Sequence, residues 1–460
     1  MERYRPKIHF SAENYIINDP NGLVYNKGIY HLFHQYNIEE QIHWGHAVSR
    51  DLVHWKRVQI ALFPDEIGQI WSGSIVVDEE KDRMIAVFTY SEHETKKQSQ
   101  GIAFSYDDGM TWEKYPGNPV LTSSRKDFRD PKVIRCFDKW VMVLSGGDCV
   151  LLYQSEDLIN WKYLSSFSGT EESHCGVWEC PDLFPMKMAD EEKWILTVSI
   201  NNGSPAGGTG MQYFTGTFDG AEFKTDQEQP NGRWLDFGKD FYAGVTWNHV
   251  PDGRRLMIAW ADNWQYRDYL PTIPFKGQMS CVRELTLCKK EDGYYIKQMP
   301  VREMDMLRRN KKEYKKIHIG SGEEWILGTN KECLELDLIC NVKSIEAEKF
   351  GICVGTGKGK KFQIEFDVKN QTCLVDRRDS GVNAHENFPG VYWGKVDFGK
   401  EKFSLKVILD VSQIELFVNE GDLVMTNLVF PEASYELKLY AENGEILIDS
   451  CKIFELDQCM

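Results

Sequence analysis

The sequence contains no run of about 18 apolar residues, the length a helix needs to cross a bilayer. No membrane span is therefore expected. The opening residues, Met1-Glu2-Arg3-Tyr4-Arg5-Pro6, lack the apolar stretch of a secretory signal. The expectation that follows is a cytoplasmic protein. Basic residues are outnumbered: 54 Lys and Arg face 70 Asp and Glu, for a formal net charge of −16 and a pI near 5.3. That balance argues against a phosphate backbone or an anionic membrane surface as a partner, since both need clustered cations. CxxC pairs are missing although there are 12 cysteines. The closest two, Cys175 and Cys180, have His174 beside them but no further histidines at zinc-ligand spacing. No metal and no cofactor is called for, and scattered thiols suit a reducing compartment. Helical periodicity is also scarce over the first 300 residues.

What the chain does have is aromatic residues, at 13%, and internal repetition. Ser49-Arg50-Asp51-Leu52-Val53-His54-Trp55 resembles Ser155-Glu156-Asp157-Leu158-Ile159-Asn160-Trp161, and between them lies Ser105-Tyr106-Asp107-Asp108-Gly109-Met110-Thr111-Trp112. Each segment is a polar turn followed by Trp, which predicts a hairpin tip closing onto a packed ring. A weaker echo is Thr217-Phe218-Asp219-Gly220-Ala221-Glu222-Phe223. A second repeat runs out of phase with the first. Its polar starts are Asn18-Asp19-Pro20, Trp71-Ser72-Gly73, Arg129-Asp130-Pro131, Glu179-Cys180-Pro181 and Phe241-Tyr242-Ala243, each followed by strand-like apolar runs such as Met84–Phe88 or Trp140–Leu144. A period near 50 residues with about four short strands per unit is the pattern of a β-propeller blade. Five units fit within residues 1–300. Residues 301–317, rich in charge, are expected to be a linker. Strict alternation then resumes, as in Phe362-Gln363-Ile364-Glu365-Phe366-Asp367-Val368, and predicts a β-sandwich over 318–460. The fold class is thus all-β: a five-bladed propeller followed by a β-sandwich, the latter a candidate homodimer surface.

In a propeller the first strand of each blade lines the central channel. Asp19, Asp130 and Glu179 all lie at polar starts of units, so the repeat is expected to gather them at one channel mouth although they span 160 residues. Carboxylates crowded in a confined cavity repel, and burial raises at least one pKa. A pair with separated pKa values supplies one ionised nucleophile and one protonated acid, the machinery of glycoside hydrolysis.

These residues also carry a resemblance. Asn18-Asp19-Pro20-Asn21-Gly22, Phe128-Arg129-Asp130-Pro131 and Trp178-Glu179-Cys180-Pro181-Asp182, in this order, resemble the three motifs of glycoside hydrolase family 32, the invertases, inulinases and levanases. The resemblance implies that Asp19 is the nucleophile, Glu179 the general acid/base and Asp130 a transition-state stabiliser that holds fructose hydroxyls. It implies substrate-binding positions at Asn18, Gln35, Trp44, Trp71, Ser72, Arg129 and Trp264. It implies a retaining β-fructofuranosidase acting on sucrose or short fructo-oligosaccharides. A fructosyltransferase or a sucrose 6-phosphate hydrolase would use the same acids, and a non-catalytic fructan-binding propeller would be expected to lose one of them. The leaving group is open at this point.

Overall fold

The computed structural model describes residues 2–169, 174–226, 232–328 and 331–460. Its first 300 residues form five antiparallel sheets. Their innermost strands are Tyr15–Asn26, Gly68–Asp78, Arg129–Cys136, Trp178–Met188 and Tyr242–Thr246. Each sheet is one blade, numbered 1 to 5 in that order. The second strand of each blade is apolar on both sides because blades pack face to face. Met84–Phe88 of blade 2 is wholly buried for this reason, as are Met142–Leu144 of blade 3.

The repeated Ser–Trp segments are the turns between the third and fourth strands of blades 1 to 3. In each, an aspartate accepts backbone N–H bonds from residues two to four ahead: Asp51 from Val53 and His54, Asp107 from Thr111, Asp157 from Ile159 and Asn160. The Trp indole then donates to a carbonyl three residues back, at 3.0–3.1 Å for Trp55, Trp112 and Trp161. That carbonyl belongs to a residue in the left-handed region: Leu52, Gly109 and Leu158, with φ of 66°, 83° and 66°. Two leucines tolerate this conformation because the side-chain bonds around them fix the turn.

The ring of blades closes in two ways. Phe275–Lys276 pairs in parallel with Tyr15–Ile16, tying blade 5 to blade 1. Asn248, just past the innermost strand of blade 5, exchanges backbone bonds with Leu23 and Tyr25 of blade 1 (2.9 and 3.0 Å). Its side-chain amide crosses the channel and donates to the carbonyls of Ile75 in blade 2 (2.8 Å) and Val133 in blade 3 (3.0 Å). Lys132, Asp182 and Thr246 add cross-channel bonds at the same depth. The channel is thereby bridged by hydrogen-bonded polar groups instead of standing open.

Two six-stranded sheets make the sandwich. The segment 301–317, expected to be a linker, is one only at its start. Arg302–Leu307 is a short 3-10 turn, and Arg308–Ile319 is a full strand paired along Ile446–Leu456. Its charged residues misled because this is an edge strand, where Lys and Arg on the open face are favoured.

Buried ion pairs seam the two units. His9 is fully buried with Nδ1 2.8 Å from Asp410 and Nε2 2.9 Å from Glu415. Glu415 also pairs with Arg283 at 2.6 Å, and Arg283 with Asp236 at 3.0 Å. Arg377 of the sandwich reaches Asp240 of the propeller at 2.6 Å. Burial opposes the charge on His9, but its hydrogen bonds to Asp410 and Glu415 outweigh that and raise its pKa well above the usual histidine value. The stability this supplies is complete below the unfolded value of about 6.5 and is lost as pH rises through the elevated folded value. His9→Asn is expected to lower unfolding free energy by about 3–5 kcal/mol by removing the cation that Asp410 and Glu415 share in the buried seam. Denaturant melts of both proteins across pH should show this gap widest near neutral pH, narrowing on the alkaline side as His9 loses its proton and on the acid side as Asp410 and Glu415, both lowered by His9, become protonated.

Candidate active site

All five innermost strands break pairing register at one channel mouth. The breaks fall between Ile17 and Pro20, Trp71 and Gly73, Arg129 and Lys132, Glu179 and Asp182, and Tyr242 and Val245. A bulge re-aims the side chains within it, and these five turn polar groups inward on a common level. Three blades match residue for residue. Arg129, Glu179 and Tyr242 are each the last paired residue. Asp130, Cys180 and Ala243 follow, all with positive φ (62°, 46° and 54°). Non-glycine residues in that region are strained, a cost that tends to collect at functional sites. The three acids are therefore not at equivalent positions, as the repeat alone suggested. Asp130 is one step past the last pair, Glu179 is the last pair itself, and Asp19 is two steps past Ile17.

The offset sorts the groups into two sets. In one, Asp19, Asp130 and Cys180 meet. The Cys180 thiol lies 3.4 Å from Asp19 Oδ2 and 3.6 Å from Asp130 Oδ2, and the Cys180 N–H donates to Asp130 Oδ2 at 2.9 Å. Asp19 also accepts from Asn18 (3.1 Å), Gln35 (3.3 Å) and the Ser72 hydroxyl (2.6 Å), and Gln35 bonds to Ser72 in turn. Four side-chain donors thus fix one carboxylate. In the other set, Arg129 donates to Glu179 Oε1 from Nε (3.3 Å) and Nη2 (3.1 Å), while the Tyr242 hydroxyl donates to Glu179 Oε2. Arg129 also holds Asp127 at 2.5 Å and lies 3.9 Å from Asp130. Thr89 anchors the strained backbone of Asp130 by accepting its N–H at 2.9 Å.

Burial dominates the titration of Asp130 and Glu179. It pushes Asp130 up to about 7; Arg129 works against the rise, and the neighbouring Glu179 and Asp19 add to it. Burial also raises Glu179, with Arg129 and Tyr242 opposing and the charge of Asp19 reinforcing. Burial raises the Cys180 thiol well above its usual value, so it serves as a neutral donor and not as a nucleophile. Asp19 and Asp130 are 6–7% exposed, whereas the Glu179 side chain keeps 22% of its surface, so Glu179 is the acid most open to an incoming group. A partly exposed carboxylic acid with a raised pKa can donate a proton, and a second carboxylate held by donors can attack or stabilise positive charge.

The structure brings together Asn18, Gln35, Ser72 and Arg129 as the sequence led one to expect. Trp71 is half-buried at the bulge of blade 2. Trp264 is 38% exposed and stands against Trp260 (ring centroids 4.9 Å), which in turn meets Tyr242 (6.4 Å). Trp44 is a correction. It has no exposed surface, packs among Phe33 and Phe88, and donates its indole N–H to the Trp71 carbonyl at 2.9 Å. It braces the pocket from behind and offers no face to a ligand. Tyr242, Cys180 and Thr89 were not singled out from sequence. The signal for Tyr242 was present: it lies in the start of the fifth repeat, Phe241-Tyr242-Ala243, and shares with Glu179 the last paired position before the register break.

The N-terminal domain model of glycosyl hydrolases family 32 matches residues 9–300, and the C-terminal model matches 303–455. A levanase of Bacillus subtilis (strain 168) is 40% identical, over 99% of this chain and 71% of its own length. A levanase of Bacillus sp. (strain L7) is 34% identical over 99% of this chain and 52% of its own, so this chain spans about half of that protein. Among solved structures, the exo-inulinase from Aspergillus awamori superposes with a TM-score of 0.91 at 30% identity, covering 100% of this chain and 99% of that one.

The Tyr242 hydrogen bond lowers the Glu179 pKa, so its loss should raise it. Tyr242→Phe is expected to move the Glu179 carboxyl titration, followed by carbon NMR, upward. A downward shift would contradict the assigned donor.

Proposed function

The chain belongs to family 32 of the glycosyl hydrolases, and from that premise we propose that it is a retaining β-fructofuranosidase. It releases terminal non-reducing β-D-fructofuranosyl units from sucrose and short fructo-oligosaccharides. The observation that carries this reading is the convergence of Asp19, Asp130 and Glu179 at one bulged channel mouth, with Asp19 and Asp130 linked through Cys180 and Glu179 held by Arg129 and Tyr242. The relatives' names, levanase and exo-inulinase, support a fructan-type substrate.

In this mechanism Asp19 attacks the anomeric C2 of fructose while Glu179 gives its proton to the departing glycosidic oxygen. The C2–O bond to the leaving group breaks as the bond to Asp19 forms. Glu179, now a carboxylate, takes a proton from water, and that water attacks C2 and frees Asp19. Two inversions give net retention. Asp130 accepts hydrogen bonds from fructose hydroxyls that strengthen as positive charge develops at the ring. Arg129 stabilises the carboxylate form of Glu179 between the two steps, and Tyr242 orients it. Trp71 and Trp264 supply apolar surface for the sugar.

All twelve cysteines, each among the described residues, are unbridged. That supports a second proposal, a reducing cytoplasmic setting. Fractionation of producing cells would test it, with activity in the cytosolic fraction expected.

Glu179→Gln should lower kcat on sucrose by about 10²–10⁴-fold, the usual share of an acid/base group. Asp19→Ala should remove turnover without changing the melting temperature by more than a few degrees. Proton NMR of early product should show β-fructofuranose before mutarotation. Near-normal turnover by either variant, or the α-anomer first, would overturn the assignment.

A further inference from the structure

The innermost strands run away from the carboxylates, and at their far ends the propeller opens again. A cavity of about 700 Å³ lies there, between the ends of the innermost strands of blades 2, 3 and 4 and the Asn248–His249 segment of blade 5. The volume is in the range of small-ligand sites. None of its lining residues belongs to the acid cluster, and the Asn248 amide, bonded to Ile75 and Val133, closes the channel between the two.

Its lining has a definite chemistry. Six carboxylates face four Lys and Arg side chains, an acidic excess that disfavours an anion. The carboxylates are not a free cation site either. Asp78 is held by Arg83 at 2.9 Å, Glu79 by His249 at 3.0 Å, and Asp157 is occupied by its own turn. What is left over is mixed. Arg255 is half-buried, lies 4.8 Å over the Phe184 ring, and has one hydrogen bond among the described residues, a 3.5 Å contact to the Pro185 carbonyl. Most of its five N–H donors are uncommitted. Arg135 lies 4.8 Å over Trp140. Glu156, and Glu192 beside its 3.6 Å pair with Lys187, supply acceptors, and Phe137, 66% exposed, and the half-buried Trp194 supply apolar faces at the rim.

Spare donors, spare acceptors and aromatic faces suit a neutral ligand that carries both hydroxyls and apolar C–H faces. We propose that this cavity is a second, non-catalytic carbohydrate site that holds a neutral oligosaccharide at the mouth opposite the acids. The choice of a fructo-oligosaccharide as its ligand rests on the β-fructofuranosidase reading. Sugar rings lie on Phe137 and Trp194, and the hydroxyls bond to Arg255 and Glu192. The site retains a chain on the enzyme while another chain end is cut.

The test is calorimetric titration of a four-unit fructo-oligosaccharide into the full-length Asp19→Ala protein. Two sites are expected. Arg255→Met keeps the packed stem on Phe184, and Phe137→Ala alters only a surface ring. Each, added to Asp19→Ala, should weaken one of the two sites by about tenfold or more, the loss of one well-made contact. The other site should be untouched. Introduced alone, neither substitution should alter kcat/KM for sucrose. One site in Asp19→Ala, or both sites unaffected by both substitutions, overturns the proposal while leaving the hydrolase reading intact. Inorganic phosphate binding in the cavity in place of sugar overturns it equally. Absence of fructoside hydrolysis by the unaltered chain overturns the hydrolase reading, and the ligand assigned here falls with it.

Discussion

One guanidinium makes the carboxylate cluster possible. Asp19, Asp130 and Glu179 crowd into a mouth where two of them are almost wholly buried, and like charges at such range repel strongly. Arg129 touches Glu179 and Asp127 and lies within 4 Å of Asp130. It is itself held by Gln98 at 3.2 Å, so its fork cannot swing away to solvent. Removing a buried ion's partner costs far more than a surface pair is worth. The cation therefore sets how close the acids stand and keeps at least part of their charge when the pocket is empty.

That arrangement depends in turn on backbone. An unbroken strand would alternate its side chains between faces and could not present neighbours such as Asn18 and Asp19, or Glu179 and Cys180, to the same pocket. The register breaks do this at the same depth in all five blades, and the strained residues Asp130, Cys180 and Ala243 sit inside them. Bonds from the Asp130 N–H to the Thr89 hydroxyl and from the Ala243 N–H to the Ser199 hydroxyl hold two of these positions. The scaffold is rigid where chemistry needs it because neighbouring blades, and not local sequence, enforce the geometry.

This also explains what could be read without coordinates. The repeats disclosed the blades, and the blades disclosed which distant acids meet, because a propeller converts sequence period into spatial proximity. Asn18, Gln35, Ser72 and Arg129 came with their motifs. The bulges were invisible: a one-residue offset between Asp130 and Glu179 leaves no mark in composition or period. Tyr242 was passed over because its place in the repeat was seen but not its partner. Trp44 was misjudged because a ring next to a pocket motif looks the same in sequence whether it faces the cavity or the core. The strand Arg308–Ile319 was hidden by its lysines and arginines, which an edge strand tolerates and a linker also would.

The amide of Asn248 has one more consequence. By stitching blades 1, 2, 3 and 5 across the axis, it turns a tunnel into a cul-de-sac. Whatever reaches the acids has no way through to the opposite face. The freed ring must then retreat through the opening by which it came. The shortened chain and the released monosaccharide contend for one doorway, and each cycle must empty before the next can begin.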